Sequence, residues 1–284
     1  MKQNLLATIL GLLLVSSAHS AILEWSQDEI RTYKENTEAM SFRCQIAASD
    51  AFLQMRQVYH LPKKDEPFVL QIITEREFRK ATYDYISKNT WERITNKKRL
   101  DELYQDSIDV RLLPYNDKLA GANVSLCLRL ANKIGLSTEK YNKVMHLGLS
   151  VAKHLRKDPR YNYDVEVMDS LRNFLTKEQL VIVLRSNNIA DVVSKSIAVW
   201  HEVKAAGLIE NEDSMSCCNN AIAYYLQESV INDMFVGHEK VLKKNLYDLK
   251  KQQPVIVRMS ESIKKKEELI RKKEEENEEL DWAW

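Results

Sequence analysis

Beyond its first twenty residues this 284-residue chain carries five histidines, His60, His146, His154, His201 and His238, and four cysteines, Cys44, Cys127, Cys217 and Cys218. A zinc site needs three or four such ligands brought to one point. No His-Glu-x-x-His occurs and no two histidines stand four residues apart. His201 beside Glu202 and His238 beside Glu239 diverge, because neighbours on a helix point about 100° apart. The spacing therefore predicts separate surface or half-buried histidines, and no metal or cofactor. Covalent catalysis has as little to build on: there is no Gly-x-Ser-x-Gly elbow and no phosphate loop, and five glycines beyond the leader leave little backbone to wrap a phosphate. Adjacent acids such as Asp101 and Glu102 are expected by chance in a chain with 41 carboxylates.

How the cysteines read depends on where the chain goes. Lys2 precedes an apolar run from Leu5 to Val15, and the run ends in Ser16, Ser17, Ala18, His19 and Ser20, with small residues three and one before a cut ahead of Ala21. This pattern predicts a secretory signal peptide over residues 1–20 and export to the periplasm or medium of a Gram-negative bacterium. The run is shorter than the roughly 20 residues a membrane span requires, so no integral membrane segment is expected after its removal. An oxidising compartment makes Cys44, Cys127, Cys217 and Cys218 candidate disulfide partners. Bridging Cys217 to its neighbour Cys218 would close a strained ring within a helix, which favours one or two long-range bridges, with four unpaired thiols as the other reading.

Gly and Pro total 11 of 284 residues, too few for the turns of a sandwich or barrel. The expected fold class is all-α, a multi-helix bundle of about eight to ten helices with a long charged C-terminal helix. Charge offers no partner: losing Lys2 leaves 41 basic against 41 acidic side chains, without the excess a nucleic-acid binder carries. Ser26 to Glu29 form a capping box ahead of a helix over about 27 to 59. A turn follows at Lys63 to Pro67. Phe68 to Ile73 has the composition of a strand, whereas Thr74 to Glu77 reads as a second box opening a helix over about 75 to 95. Further helices are expected from Leu100 to Leu113, through Cys127 to Gly135, from Ser137 to Asp158 and over about Asp164 to Phe174. Beyond these, Thr176 and Gln179 form a third box, opening the helix that contains the β-branched run Leu180 to Leu184. Stripes from Ile189 to Val203 and from Cys218 to Leu226 complete one helical domain over 21–254, with a division into two lobes as the other reading. Residues 255–284 form a charged C-terminal helix or tail, in which Ile256, Ile263 and Ile270 recur at seven residues while Lys266 and Lys273 break the companion row. This predicts a helix that docks its first two turns and projects the rest, with Trp282 and Trp284 as candidate partner-docking residues.

Two segments 39 residues apart, Leu136 to Lys140 and Leu175 to Gln179, have related patterns. The second, with Leu175, Thr176 and Gln179, resembles the Leu-Thr-x-x-Gln motif of the Spy/CpxP family of periplasmic proteins. The first departs from it, with Ser137 for Thr and Lys140 for Gln. The resemblance spans about residues 136–187. It implies a helical, cofactor-free protein that binds unfolded clients as a chaperone or serves the envelope-stress response. Local physics accounts for the same residues without ancestry: Thr176 caps a helix, Gln179 reaches back to it, and Leu175 packs as a staple. Elsewhere the chain is similar to secreted helical proteins of Bacteroidetes, which implies no activity. The expected function is binding of another polypeptide, a protein partner or an unfolded client. Two alternatives remain: a structural subunit assembling through its C-terminal helix, and a hydrolase with a site built from scattered carboxylates and histidines.

Overall fold

A computed structural model of the protein describes residues 24–58, 61–209 and 214–281. Among them every regular element is helical, in eleven helices. The chain divides into two units, one up to Ala120 and one from Gly121. Each unit has an apolar cluster of its own.

The first unit holds α1 (Gln27–Val58), α2 (Glu66–Ile86), α3 (Thr90–Leu112) and the single turn α4 (Asp117–Ala120). The Ser26–Glu29 box opens α1 as its residues dictate, with Ser26 Oγ accepting from Glu29 N at 3.2 Å and Glu29 Oε2 from Ser26 N at 2.6 Å. Helix α2 packs against both α1 and α3. It is therefore buried on more than one side, at Val69, Ile73, Phe78, Arg79, Ala81 and Thr82. Its boundaries therefore differ from the expected ones. Burial on more than one side leaves no single apolar stripe, and its β-branched start mimics a strand. Pro67 lies in its first turn, where a missing N–H costs nothing. Thr74 does not cap: its hydroxyl donates to Leu70 O, one turn back at 2.7 Å. The helix expected over 75 to 95 is instead broken at 87–89, where Asn89 Oδ1 accepts from Glu92 N at 2.9 Å and starts α3. Tyr33, Met40, Cys44, Phe78 and Ala81 form one apolar cluster of this unit.

The second unit contains α5 (Ala122–Arg129), α6 (Thr138–Lys157), α7 (Asp164–Phe174), α8 (Lys177–Ala205), α9 (Ser214–Met234), α10 (Glu239–Lys250) and α11 (Val255–Asp281). Helix α8 is its axis, packing on α5, α7, α9 and α11. Its inner residues change face along its length: Leu180, Val183 and Leu184 are buried near its start, and Val192, Ser196, Val199 and Val203 further on. Val192, Val199 and Val203 join Ala221, Tyr224, Tyr225, Leu226, Leu249, Ile256 and Val257 in one cluster. The C-terminal helix is thus part of this core at its beginning. Ile256, Val257 and Ser260 are buried, Ser260 Oγ donates to Glu202 Oε2 at 2.7 Å, and Lys264 pairs with the same carboxylate at 3.3 Å. From Lys264 to Glu275 every residue is exposed.

Gly237 ends the link between α9 and α10 with φ of +77°, and a Cβ there would lie 2.9 Å from both methyls of Val165 on α7. Gly207 has a similar φ of +70° and nothing within 4 Å. Gly237→Ala should cost about 2–3 kcal/mol, backbone strain plus overpacking. Gly207→Ala should cost about 1 kcal/mol, strain alone. Urea midpoints of the two variants measure the difference, and equal losses would contradict the close approach.

Candidate functional site

The two related segments of the sequence come together at the starts of α6 and α8. Thr176 Oγ1 accepts from Gln179 N at 3.3 Å and Gln179 Oε1 accepts from Thr176 N at 3.0 Å, a reciprocal cap that satisfies two otherwise free backbone donors. Leu175 is buried beside it. The other end of Gln179 reaches outward: its Nε2 donates to Ile134 O at 3.0 Å and Gly135 O at 3.3 Å, closing carbonyls of the turn that precedes α6. Ser137 Oγ caps α6 by accepting from Lys140 N at 3.3 Å, and Lys140 Nζ donates to Gln179 Oε1 at 3.4 Å. Of the two residues that depart from the motif in the first segment, Lys140 is the one that contacts the second. The cluster joins two helix starts and holds no acid–base pair. Thr176→Ala is expected to cost about 1 kcal/mol through loss of the cap, seen as a lower urea midpoint with unchanged slope.

Another polar cluster lies in the first unit. Glu29 and Arg79 are 2% and 7% exposed. Arg79 Nε donates to Glu29 Oε1 at 2.6 Å and Nη2 to Glu29 Oε2 at 3.1 Å, while Nη2 also donates to Glu24 O at 3.0 Å. The guanidinium lies over the Trp25 ring at 5.6 Å. Trp25 Nε1 and Tyr104 OH both donate to Glu75 Oε1, at 3.0 and 2.8 Å. Burial alone would raise the Glu29 pKa, but hydrogen bonds from Arg79 and the Ser26 backbone, with the Arg79 charge, outweigh it and hold the carboxyl below its ordinary value. Burial likewise pushes the Tyr104 hydroxyl up, with the neighbouring Glu75 charge acting in the same direction. Charges so fully satisfied fasten α1, α2 and α3 together and are poorly suited to exchanging protons with a substrate. Sequence reading found Glu29 as a cap and missed Arg79. The available signal was weak: Arg79 directly follows Phe78, but Arg76 and Lys80 stand as close to it in the same charged stretch.

The remaining sequence candidates stay apart. His238 Nε2 is 2.9 Å from Asp169 Oδ1, His154 packs on Tyr161 and His201 on Trp200. Among the described residues no group of three His, Cys, Asp or Glu is placed to hold a metal ion. All four cysteines are free thiols, so none of the bridges that the sequence allowed is formed. Cys44 and Cys127 lie in the cores of different units, and Cys217 and Cys218 are neighbours on α9 whose side chains diverge. Burial pushes the Cys127 thiol up to about 12, which makes it a poor nucleophile. Trp282 and Trp284 lie outside the described residues, as does the predicted leader. No described helix is long and apolar enough to cross a membrane.

What the described surface does offer is apolar helix face. On α8, Ile182, Ile189 and Ile197 are 38%, 41% and 45% exposed, with Val193 half-buried between them. These four positions follow a helical repeat and form one outer row beside the buried face. On α1, Phe42, Ile46 and Leu53 make a second row, with Phe42 76% exposed. Fold and surface together define an all-helical protein with solvent-facing apolar rows. No family model matches the chain, and neither a curated protein nor a solved structure does.

Proposed function

We propose that the protein works outside the cytoplasm by binding other polypeptides, as a Spy/CpxP-like chaperone or envelope-stress component. The outer row of α8 carries this reading. It begins one turn beyond the Thr176–Gln179 cap, on a helix held in place by the core around Val192, Val199 and Val203. A client's apolar segment laid along Ile182, Ile189, Val193 and Ile197 buries only partly exposed side chains. Full burial of such a residue contributes about 1.5–3 kcal/mol, so a partial share from each gives weak and reversible capture. The neutral total charge sets no preference for acidic or basic clients. The leader read in residues 1–20 supports the location.

The test is suppression of aggregation of an unfolded substrate at near-equal stoichiometry, followed by light scattering. The purified protein is expected to suppress it, and the triple variant Ile182→Ser, Ile189→Ser, Ile197→Ser to lose most of that activity with helix content unchanged. No suppression by the native chain overturns the chaperone reading.

A second reading, assembly through the C-terminal helix, is favoured by one observation: Leu269 and Ile270 are 60% and 56% exposed on the undocked part of α11. Deleting residues 264–284 would then lower the number of chains per assembly, and an unchanged number refutes it.

A further inference from the structure

The outer face of α1 carries an ordered row of seven residues, Glu35, Glu38, Phe42, Ile46, Ser49, Leu53 and Arg56, spaced three or four apart and all exposed. Phe42, Ile46 and Leu53 are 76%, 47% and 52% exposed. Read in either direction the row is apolar in its middle, and its ends carry opposite charge. That arrangement is complementary to its own reverse. We infer that α1 is the self-association surface of the protein, pairing antiparallel with α1 of a second copy about a two-fold axis that passes near Ala47 and Ala48.

The register follows from the side chains. With Phe42 of one copy opposite Leu53 of the other, Ile46 falls opposite Ser49, a large residue beside a small one that lets the helices approach. The two-fold repeats both contacts. The same register sets Arg56 of each copy opposite Ala39 of the other, next to Glu38 and about one turn from Glu35, at both ends of the pairing. Arg56 bonds Glu66 of its own copy at 3.3 Å and its side chain keeps 54% exposure, so the guanidinium can serve both. A parallel pairing would set Arg56 against Arg56 and the glutamates against each other, so the charges select the antiparallel arrangement. Glu35 to Arg56 covers about 30 Å of helix. Seven exposed side chains per copy over that length put the buried area near the lower bound of specific interfaces, about 1,000 Å² in total.

This association goes beyond client binding, since it uses another helix in the other unit. It is also distinct from assembly through α11, which residues 264–284 would mediate. The test is molar mass by sedimentation equilibrium across a concentration series. The native protein is expected to run as a dimer, and the chain lacking 264–284 to remain one. Glu35→Arg with Glu38→Arg places three cations together at each end and should weaken the dimer about tenfold or more. Adding Arg56→Glu to that pair restores opposite charge in reverse and should recover the affinity. Phe42→Glu should give single chains with native helix content. A single-chain mass for the native protein overturns the inference. So does an unaltered dimer in the Glu35→Arg, Glu38→Arg variant, or failure of the added Arg56→Glu to recover it.

Discussion

Replacing Arg79 with methionine is expected to cost the protein about 3–5 kcal/mol, the loss typical when one partner of a buried ion pair is removed. The methionine fills much of the same space, so packing is a minor part of the loss. The larger part is Glu29, left 2% exposed without the guanidinium that bonds both its oxygens. The double variant Glu29→Met, Arg79→Met should regain most of that stability, because no uncompensated charge remains. The effect also depends on pH in a stated direction. In the native fold the Glu29 pKa is depressed. Its stabilising share is therefore fully present above the ordinary carboxylate value of about 4.3, and it is lost as pH falls through the lower folded value. In Arg79→Met the same carboxyl keeps its burial without its main partner, so its pKa should rise. The gap between native and variant stability should then narrow as pH falls, first through the raised pKa of the variant and then through the lowered pKa of the native carboxyl. Urea unfolding at pH 7 and pH 3 measures it, and an equal gap at the two values would show that Glu29 is not the group responsible.

The second expected effect separates the inside of α8 from its outer row. Leu184 is fully buried at 0% exposure, and Leu184→Ala should cost about 2–5 kcal/mol through lost transfer energy and a residual cavity. Ile189→Ser, five residues away at 41% exposure, should cost below about 1 kcal/mol. Client binding should respond in the opposite order: reduced by Ile189→Ser, and retained by Leu184→Ala under conditions where that variant is still folded. Thermal midpoints measured beside aggregation suppression report both quantities. A large stability loss at Ile189 would place the outer row in the core and remove the basis for client binding.

Where the sequence was legible, local rules were sufficient. The Ser26–Glu29 and Thr176–Gln179 boxes start their helices with the expected reciprocal bonds. In the second case the cap commits Leu180 to Leu184 to a helix despite β-branched residues. The helix over Asp164–Phe174 falls where its pattern placed it, because it is buried on one face only. The first two turns of α11 dock and the following residues project, as the interrupted apolar row required. Errors gathered in α2, where burial by two neighbours erases periodicity, and at Thr74, whose hydroxyl bonds back within a helix instead of starting one. Chain division at Ala120 and Gly121 left no strong mark, since the flanking helices are short and the linker is neither Pro-rich nor polar.

Helical class and most helix boundaries were determined by the residues themselves, through caps, stops and apolar spacing that act within a few positions along the chain. Tertiary structure alone decided that Arg79 would meet Glu29, that Gln179 would close a turn 44 residues earlier, and that the rows on α1 and α8 would stay open to solvent. Those outcomes depend on which helices become neighbours. A helix shows in its own sequence which face is apolar, but whether that face is covered is settled by a partner that the local pattern does not specify.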